Sequence, residues 1–372
     1  MARPRLYRLR YLSYLYTTPR SYTTMLEVQK SKPHELRTAG QPRQSSFYQL
    51  KVYHISQINP TIRLVRFNII SSCDSLDWSG GNSESWLDVH IPNIKHAGGF
   101  TITSTPQDAS PQPTTNAATD DSNSSLPYLE LAVQFSPTNP AAKWFWQPVE
   151  LILNTPVKVR VGGNFVWPPP NGMSFDEIKK IVLVAGGVGI NPLISMISYI
   201  HQTRSSLPSS MVHLLYSTKV PSQSKSPPTI PIDRMIPSKA GNNVLTSPAF
   251  QILFLDRLQR ILRNWDEGGE NNNPLDIQLF ITNMSSESGD GCTTNLRSDI
   301  SDLDNRITTF DRRIGVEDLR RAIGENEEIR NGTVCYICGP PSMTDSIAKE
   351  LQNILGDRKS EGKERVFFEK WW

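Results

Sequence analysis

The sequence predicts a two-domain β + α/β fold, with a small antiparallel β-barrel followed by a doubly wound parallel sheet. Three observations support this prediction. Short strand-like segments without helices fill residues 47–172, a pattern typical of small barrels. Strand-like and helix-like segments then alternate over residues 175–372, as parallel α/β sheets require. Finally, the uncharged run Ile181–Ile200 places a glycine-rich turn between a buried strand and a helix.

The chain opens with a basic segment that contains no acidic residue. Residues 1–26 hold five arginines and many hydroxyl side chains, the composition of a mitochondrial transit peptide. The formal net charge is +3, so removing these five charges leaves −2 for the rest. A nucleic-acid-binding arm, the alternative interpretation, is disfavoured because the remainder has no basic patch. We expect a mitochondrial protein, in the matrix, with residues 27–46 as a polar linker.

The barrel prediction rests on closely spaced strands that are separated by Gly, Pro and Asn clusters. These strands are Tyr48–Ile55, Ile62–Ile70, Trp86–Ile91, Leu129–Phe135 and Val149–Val161. A stiff proline-rich linker, Pro168–Gly172, follows them, so the domain boundary is placed near residue 175. Three polar segments are expected to be disordered surface insertions: Gln107–Ser125, Pro221–Pro248 and Ser285–Arg306.

The glycine-rich turn is the first candidate binding site. Its glycines permit a tight turn and a close approach of the backbone to a ligand, and Asn191 and Pro192 suit the N-cap and first position of a helix. The helix end then offers N–H groups to an anion such as a pyrophosphate. A membrane span is disfavoured by the glycines and Asn-Pro, whereas a structural turn without a ligand stays open. The expected contacts are Gly186, Gly187, Val188, Gly189, Ile190, Asn191 and Pro192.

A second motif lies near the end of the chain, where the apolar strand that starts at Thr333 runs into a Cys-Gly-Pro-Pro sequence. Together the two motifs resemble the nucleotide domain of the ferredoxin–NADP reductase superfamily, and within it the mitochondrial oxidoreductase NAD-binding domain-containing proteins. The resemblance covers roughly residues 47–372. It implies further nucleotide contacts at Cys338, Gly339, Pro340, Pro341 and Met343.

The same resemblance implies that the barrel binds FAD. Residues 98–104 align with the superfamily's Arg-x-Tyr-Ser/Thr-x-x-Ser motif, which gives flavin contacts at Phe100, Thr101 and Ser104. Gly98 stands in place of the arginine that holds the pyrophosphate, and Ala142 in place of a phosphate-turn serine. A charge-assisted bond is worth about 1.5–3 kcal/mol, so weakened FAD binding is expected, and Gly98→Arg should strengthen it.

The preference between NADH and NADPH is not settled by the sequence. Ser217 and Lys219 follow the predicted strand Met211–Tyr216, where a carboxylate would favour NAD. No carboxylate is present, so these two residues favour NADP or are solvated loop residues. The other elements predicted for this domain are a helix at Phe250–Leu262, a strand at Ile277–Thr282 and a helix at Val316–Ile323.

The four cysteines do not indicate a metal centre. Cys335 and Cys338 form a Cys-x-x-Cys, but no second pair accompanies them, and in a strand they point to opposite faces. Cys73 and Cys292 are too scattered for an iron–sulfur cluster. No metal site and no transmembrane segment are expected.

The resemblance implies a flavin-dependent NAD(P)H oxidoreductase. Hydride would pass from the nicotinamide to FAD, and electrons to an unidentified acceptor, which could be a haem protein, a quinone or another small molecule. By resemblance, Cys338 lies beside the nicotinamide, Trp371 covers the flavin and Glu369 is the tail carboxylate. The alternative is a nucleotide-binding sensor or scaffold that has lost its flavin, which Gly98 and Ala142 favour.

Overall fold

The structure is a computed structural model that describes residues 32–69, 86–110, 127–170, 172–203, 210–220, 251–265, 275–283, 306–356 and 364–370. It contains one antiparallel and one parallel sheet, each of six strands. The predicted fold, a small antiparallel barrel followed by a doubly wound parallel sheet, is confirmed. The transit segment, Trp371 and nearly all of the three polar insertions lie outside the described residues.

The barrel is formed by six strands in the order β4-β3-β6-β1-β2-β5. A bridge between Ile102 and Leu131 brings the chain after β4 onto β5 and closes the sheet. Alternate side chains of the strands point inward and form one apolar core. The strands are β1 Tyr48–Asn59, β2 Ile62–Ile69, β3 Trp86–His90, β4 Gly98–Thr101, β5 Tyr128–Gln134 and β6 Pro156–Gly162, with short helices α1 His34–Arg37, α2 Pro140–Trp144 and α3 Val149–Ile152.

Two barrel predictions are wrong. The segment Val149–Val161 is not one strand, because Val149–Ile152 is a helical turn after Pro148, and Asn154 then adopts a left-handed φ of 63°. In addition, residues 32–46 are not a free linker. They carry α1 and pair with the barrel, where Gln44 N–H donates to the Val161 carbonyl at 3.0 Å.

The parallel sheet has the strand order β10-β9-β8-β7-β11-β12. Helices cover both faces, and each face has its own apolar core: α4 and α5 pack on one, α6 and α8 on the other. The chain moves outward from β7 in both directions, so the switch point of the topology lies between β7 and β11. The strands are β7 Lys180–Gly186, β8 Met211–Thr218, β9 Leu275–Ile281, β10 Ile307–Phe310, β11 Thr333–Gly339 and β12 Val366–Lys370, and the helices are α4 Ile190–Thr203, α5 Leu255–Trp265, α6 Val316–Ile323, α7 Glu327–Asn331 and α8 Pro341–Leu355.

Most predicted elements of this domain are confirmed, including Val316–Ile323 in full. The helix predicted at Phe250–Leu262 starts only at Leu255, because Phe254 has a φ of 62° and cannot continue a helix. Strand β10 was missed by the sequence analysis. Among the described residues, no helix is both long and apolar enough to span a bilayer.

Candidate functional site

The two glycine motifs lie side by side at the carboxyl ends of β7 and β11. A Cβ atom on Gly339 would approach the backbone of Gly186 to 3.3 Å, and one on Gly186 would lie 2.6 Å from the Met343 sulfur and 2.8 Å from Pro340 Cδ. The absence of side chains therefore lets the two strand ends meet. This position is the crevice at the switch point where open α/β sheets bind ligands.

The glycines of the turn have different tasks. Gly187 has a φ of 55°, which favours glycine, and it lies with Val188 at the partly exposed rim of the crevice. Gly189 is buried, and a Cβ there would overlap the carbonyl oxygen of Cys338. Gly189 is thus required for packing against β11, whereas Gly187 and Val188 remain accessible to a ligand.

Asn191 is not the helix N-cap that the sequence predicted. A 3₁₀ turn, Gly187–Gly189, leads directly into α4 at Ile190, so Asn191 lies within the first turn. Its side chain is buried, and Nδ2 donates to the carbonyl of Ala132 in the barrel at 3.2 Å. Pro192 also lies in the first turn, where its missing N–H leaves no intrahelical bond unmade.

Cys338 and Glu369 are neighbours in the parallel register of β11 and β12. Burial, reinforced by the negative charge of Glu369, raises the pKa of the Cys338 thiol well above its usual range. Burial also raises the pKa of Glu369 to about 7. Near neutral pH, Cys338 is therefore a neutral thiol and Glu369 can either hold or release a proton. Trp371 lies outside the described residues.

The two cysteines of the Cys-x-x-Cys face opposite sides of the sheet, as expected. Cys338 packs in the core beneath α4, and Cys335 in the core beneath α8. Across the described ranges, His, Cys, Asp and Glu side chains form no group of three or more that could hold a metal ion.

The end of β8 forms the neighbouring wall of the crevice. Ser217 pairs in register with Gly186 and is partly buried, whereas Lys219 is exposed. The side chain of Asn283 fixes the loop that follows, because it accepts from the Val220 N–H at 3.0 Å and donates to the Val220 carbonyl at 2.8 Å. The structure therefore brings Ser217 to the glycine turns, with Lys219 close along the chain.

The flavin residues predicted in the barrel are placed differently. Phe100 is only 9% exposed and packs edge-to-face against Phe145 in the core, with ring centroids 5.3 Å apart. A Cβ atom on Gly98 would lie 2.5 Å from both Ala141 Cβ and the Phe100 ring. A side chain on residue 98 therefore fits only if Ala141 or Phe100 moves. This crowding opposes the gain in FAD binding that was expected of Gly98→Arg, and that gain stays a prediction.

Ser104 and the backbone N–H groups of the predicted phosphate turn already have partners within the protein. The hydroxyl of Ser104 is buried and accepts from the Glu130 N–H at 3.0 Å. At the predicted phosphate turn, Asn139 Oδ1 accepts from the N–H groups of Ala141 and Ala142 at 3.1 and 3.2 Å. Thr101 alone of the three predicted flavin residues is partly exposed. The residues present thus do not fit FAD.

Sequence reasoning missed a buried contact between the domains. Glu130 of the barrel accepts from Arg66 Nε at 2.8 Å and from Arg257 of α5 at 2.5 Å. Burial opposes the ionisation of Glu130, but the two arginines outweigh it and lower its pKa. Ser195 of α4 also donates to the Ser104 carbonyl at 2.8 Å. The one signal of this contact in the sequence is the position of Glu130 inside an otherwise apolar strand.

Known proteins resemble this chain over nearly its whole length. It is 28% identical over 361 residues to the Bos taurus protein named "Oxidoreductase NAD-binding domain-containing protein 1", covering 94% of this chain and 90% of that protein. The Homo sapiens protein of the same name is 26% identical over 361 residues, covering 94% and 89%. The predicted resemblance is confirmed. No protein-family model matches the chain.

The fold is also that of solved ferredoxin–NADP reductase-like proteins. The cytochrome b5 reductase domain of Ulva prolifera nitrate reductase superposes with a TM-score of 0.52 at 14% identity, covering 87% of this chain and 97% of that chain. The flavohemoglobin of Malassezia yamatoensis, solved with FAD and heme, gives 0.52 at 10% identity and covers 90% and 62%. These similarities establish the architecture of the two domains.

Proposed function

We propose that this protein is an NAD(P)H-dependent oxidoreductase whose nicotinamide nucleotide binds where the two glycine turns meet. The observation that carries the proposal is the close contact of Gly186 with Gly339 at the switch point of the parallel sheet. The name of the curated relatives, which pairs "oxidoreductase" with "NAD-binding", supports the same function.

In this proposal the pyrophosphate lies at the rim formed by Gly187 and Val188. Both residues are partly exposed, and they precede the positive end of α4, a helix of 14 residues. Backbone N–H groups and the helix dipole favour an anion at such an end. Ser217 and Lys219 would contact the adenosine ribose, and the positive charge of Lys219 would favour the extra phosphate of NADP(H).

The nicotinamide would reach Cys338 and Glu369 at the ends of β11 and β12. Cys338 is buried and stays a neutral thiol, so it contributes shape and a dry surface rather than a nucleophilic thiolate. Glu369, with a pKa near 7, can accept or return a proton at neutral pH. The nicotinamide itself supplies the hydride chemistry.

Calorimetric titration of the full chain with NADH, NADPH and their oxidised forms tests the binding site. Gly187→Val should abolish binding, because it strains a left-handed residue and fills the rim. Gly172→Val is the matched control: its φ is 74°, but nothing lies within 4 Å of its Cβ position. Equal affinity in the wild type and in Gly187→Val would remove the proposed site.

A second candidate is a nucleotide-binding sensor or scaffold without redox activity. The closed packing around Gly98 and Phe100 favours it, because the predicted flavin partner of the nicotinamide has no place there. Oxidation of NADH or NADPH by purified protein in the presence of added acceptors distinguishes the two. Binding without turnover with any acceptor would favour the sensor.

We also propose that residues 1–26 direct the protein to the mitochondrial matrix. The support is the sequence itself, with five arginines and no acidic residue. A fluorescent reporter fused to residues 1–30 should enter mitochondria. A matched fusion with all five arginines changed to glutamine should remain in the cytosol, and so would the unchanged fusion if the proposal is wrong.

A further inference from the structure

We infer that the barrel holds no resident flavin, and that a diffusible two-electron acceptor takes the hydride directly from the nicotinamide. This inference rests on the proposed nucleotide site. It starts from strand β4, where the resemblance places the flavin. The inner face of β4 is closed by Ala141 and Phe145, as described above.

The outer face of β4 is closed as well. A Cβ atom on Gly99 would overlap the imidazole ring of His34, so this ring lies directly on the strand. The same ring packs edge-on against Trp86, with ring centroids 4.7 Å apart. Trp86 in turn covers Gly162, where a Cβ would come within 2.5 Å of the indole. Side chains of the protein therefore occupy the space on both sides of the glycine pair.

A buried carboxylate fixes this outer cover. Asp88 is fully buried, and its oxygens lie 3.3 Å from His34 Nε2, 2.8 Å from Arg43 Nε and 2.8 Å from an Arg160 side-chain nitrogen. Arg43 also donates to the Thr38 carbonyl at 2.6 Å. The segment 34–43 is thus tied to the barrel at both of its ends. If this segment moved away, Asp88 would keep only Arg160 as a partner for its charge.

The missing flavin restricts the class of acceptor. A nicotinamide gives up its two electrons together as hydride, whereas a haem iron accepts one electron at a time. A flavin normally stands between them because it takes a hydride and releases single electrons. Without a resident flavin, the acceptor must accept the hydride itself. Planar acceptors of the quinone or free flavin type can do so.

The reaction balances without a further reagent. The C4–H bond of the reduced nicotinamide breaks, and hydride passes to the quinone or to free flavin, which takes one proton from water. The products are oxidised nicotinamide nucleotide and the two-electron-reduced acceptor, a quinol or a dihydroflavin. A one-electron haem protein is not a direct substrate of this reaction.

The test uses the full chain produced in riboflavin-supplemented cells. Its visible spectrum should lack bound flavin, and added FAD should not remain after dialysis. Oxidation of NADH and NADPH is then followed with menadione, with free FMN and with ferric cytochrome c in separate assays. Turnover with menadione or FMN, and none with cytochrome c, is expected. The first two assays distinguish a quinone from a free flavin as the acceptor.

Stoichiometric flavin on the purified protein would overturn the inference, and so would turnover with cytochrome c alone or with no acceptor at all. Calorimetry separates these failures from failure of the proposed function. A protein that carries flavin and binds nucleotide contradicts only the inference. A protein that binds no nicotinamide nucleotide contradicts the site at Gly187 on which the inference rests.

Discussion

The glycine pair of β4 and the glycine turn after β7 look alike in sequence but differ in structure. Gly98 and Gly99 are enclosed on both faces by side chains of the protein. The turn after β7 uses Gly186 and Gly189 to bring two strand ends together and leaves Gly187 at the rim. A glycine thus indicates that a side chain has no room, while only its neighbours tell whether a ligand or the protein fills that space.

The two regions also differ in the pKa of their buried carboxyl groups. In the barrel, burial disfavours the ionised form of Asp88, but the nearby His34, Arg43 and Arg160 outweigh it and lower its pKa. At the crevice, burial raises the pKa of Glu369. The barrel carboxylate therefore stabilises the fold as an anion, whereas the crevice carboxylate can hold or release a proton near neutral pH.

The largest expected loss of stability comes from releasing the segment 34–43 from the barrel. Asp88→Asn should lower the free energy of unfolding by about 3–5 kcal/mol, because it breaks ion pairs at a buried carboxylate and leaves the partly buried Arg43 and Arg160 without their anion. Asp256→Asn is the matched control, since its ion pair with Arg260 is exposed and should matter by less than about 1 kcal/mol. Urea denaturation measures both. Similar losses in the two variants would mean that Asp88 does not anchor the segment.

Gly189→Val should be the next most damaging change, with a loss of about 3 kcal/mol. The added side chain meets the Cys338 carbonyl, which is backbone and cannot rotate away. Gly40→Val serves as the control, because nothing lies within 4 Å of its Cβ position. Thermal unfolding followed by circular dichroism compares the two. A stable Gly189→Val protein that merely loses nucleotide binding would show that ligand approach, rather than packing, requires this glycine.

A smaller loss, about 1–2 kcal/mol, is expected for Gly98→Ala. Its methyl group would lie 2.5 Å from Ala141 Cβ and from the Phe100 ring, and these side chains can yield partly. Gly40→Ala is the corresponding control. If Gly98→Ala instead leaves stability unchanged and improves flavin retention, β4 is open to a cofactor and the contrast between the two glycine regions disappears.

The remaining predictions concern pH. The pKa of Asp88 is depressed in the folded state, so its stabilisation is complete above its unfolded pKa of about 3.9 and fades as pH falls below that value. The pKa of Glu369 is raised to about 7, so stability should decline as pH rises from about 4.3 to 7. Glu369→Gln should remove the loss of stability between about pH 4.3 and 7 but keep the loss at low pH that Asp88 causes. Denaturation at pH 3, 5 and 8 measures both, and an unchanged profile in the variant would contradict the assignment.

The fold class and the place of the crevice at the glycine turn could both be predicted from the sequence. Both depend on local features: apolar runs for buried strands, glycines for the turn, and Pro192 in the first turn of α4. Two turns that follow parallel strands end at the same edge of the sheet, so their meeting could be predicted once the strands were recognised. The register that pairs Cys338 with Glu369 was not predicted and is seen only in the structure.

The groups that fill the space around β4 could not be predicted from the sequence. Gly98 meets Ala141, Gly99 meets His34, and Asp88 gathers cations from two distant segments. These pairs are separated by tens of residues, and no local propensity encodes them. The tertiary structure likewise moved Asn191 from a helix cap to a contact with the barrel. Packing and charge pairing across the chain, rather than residue type, determine whether a motif stays open to a ligand.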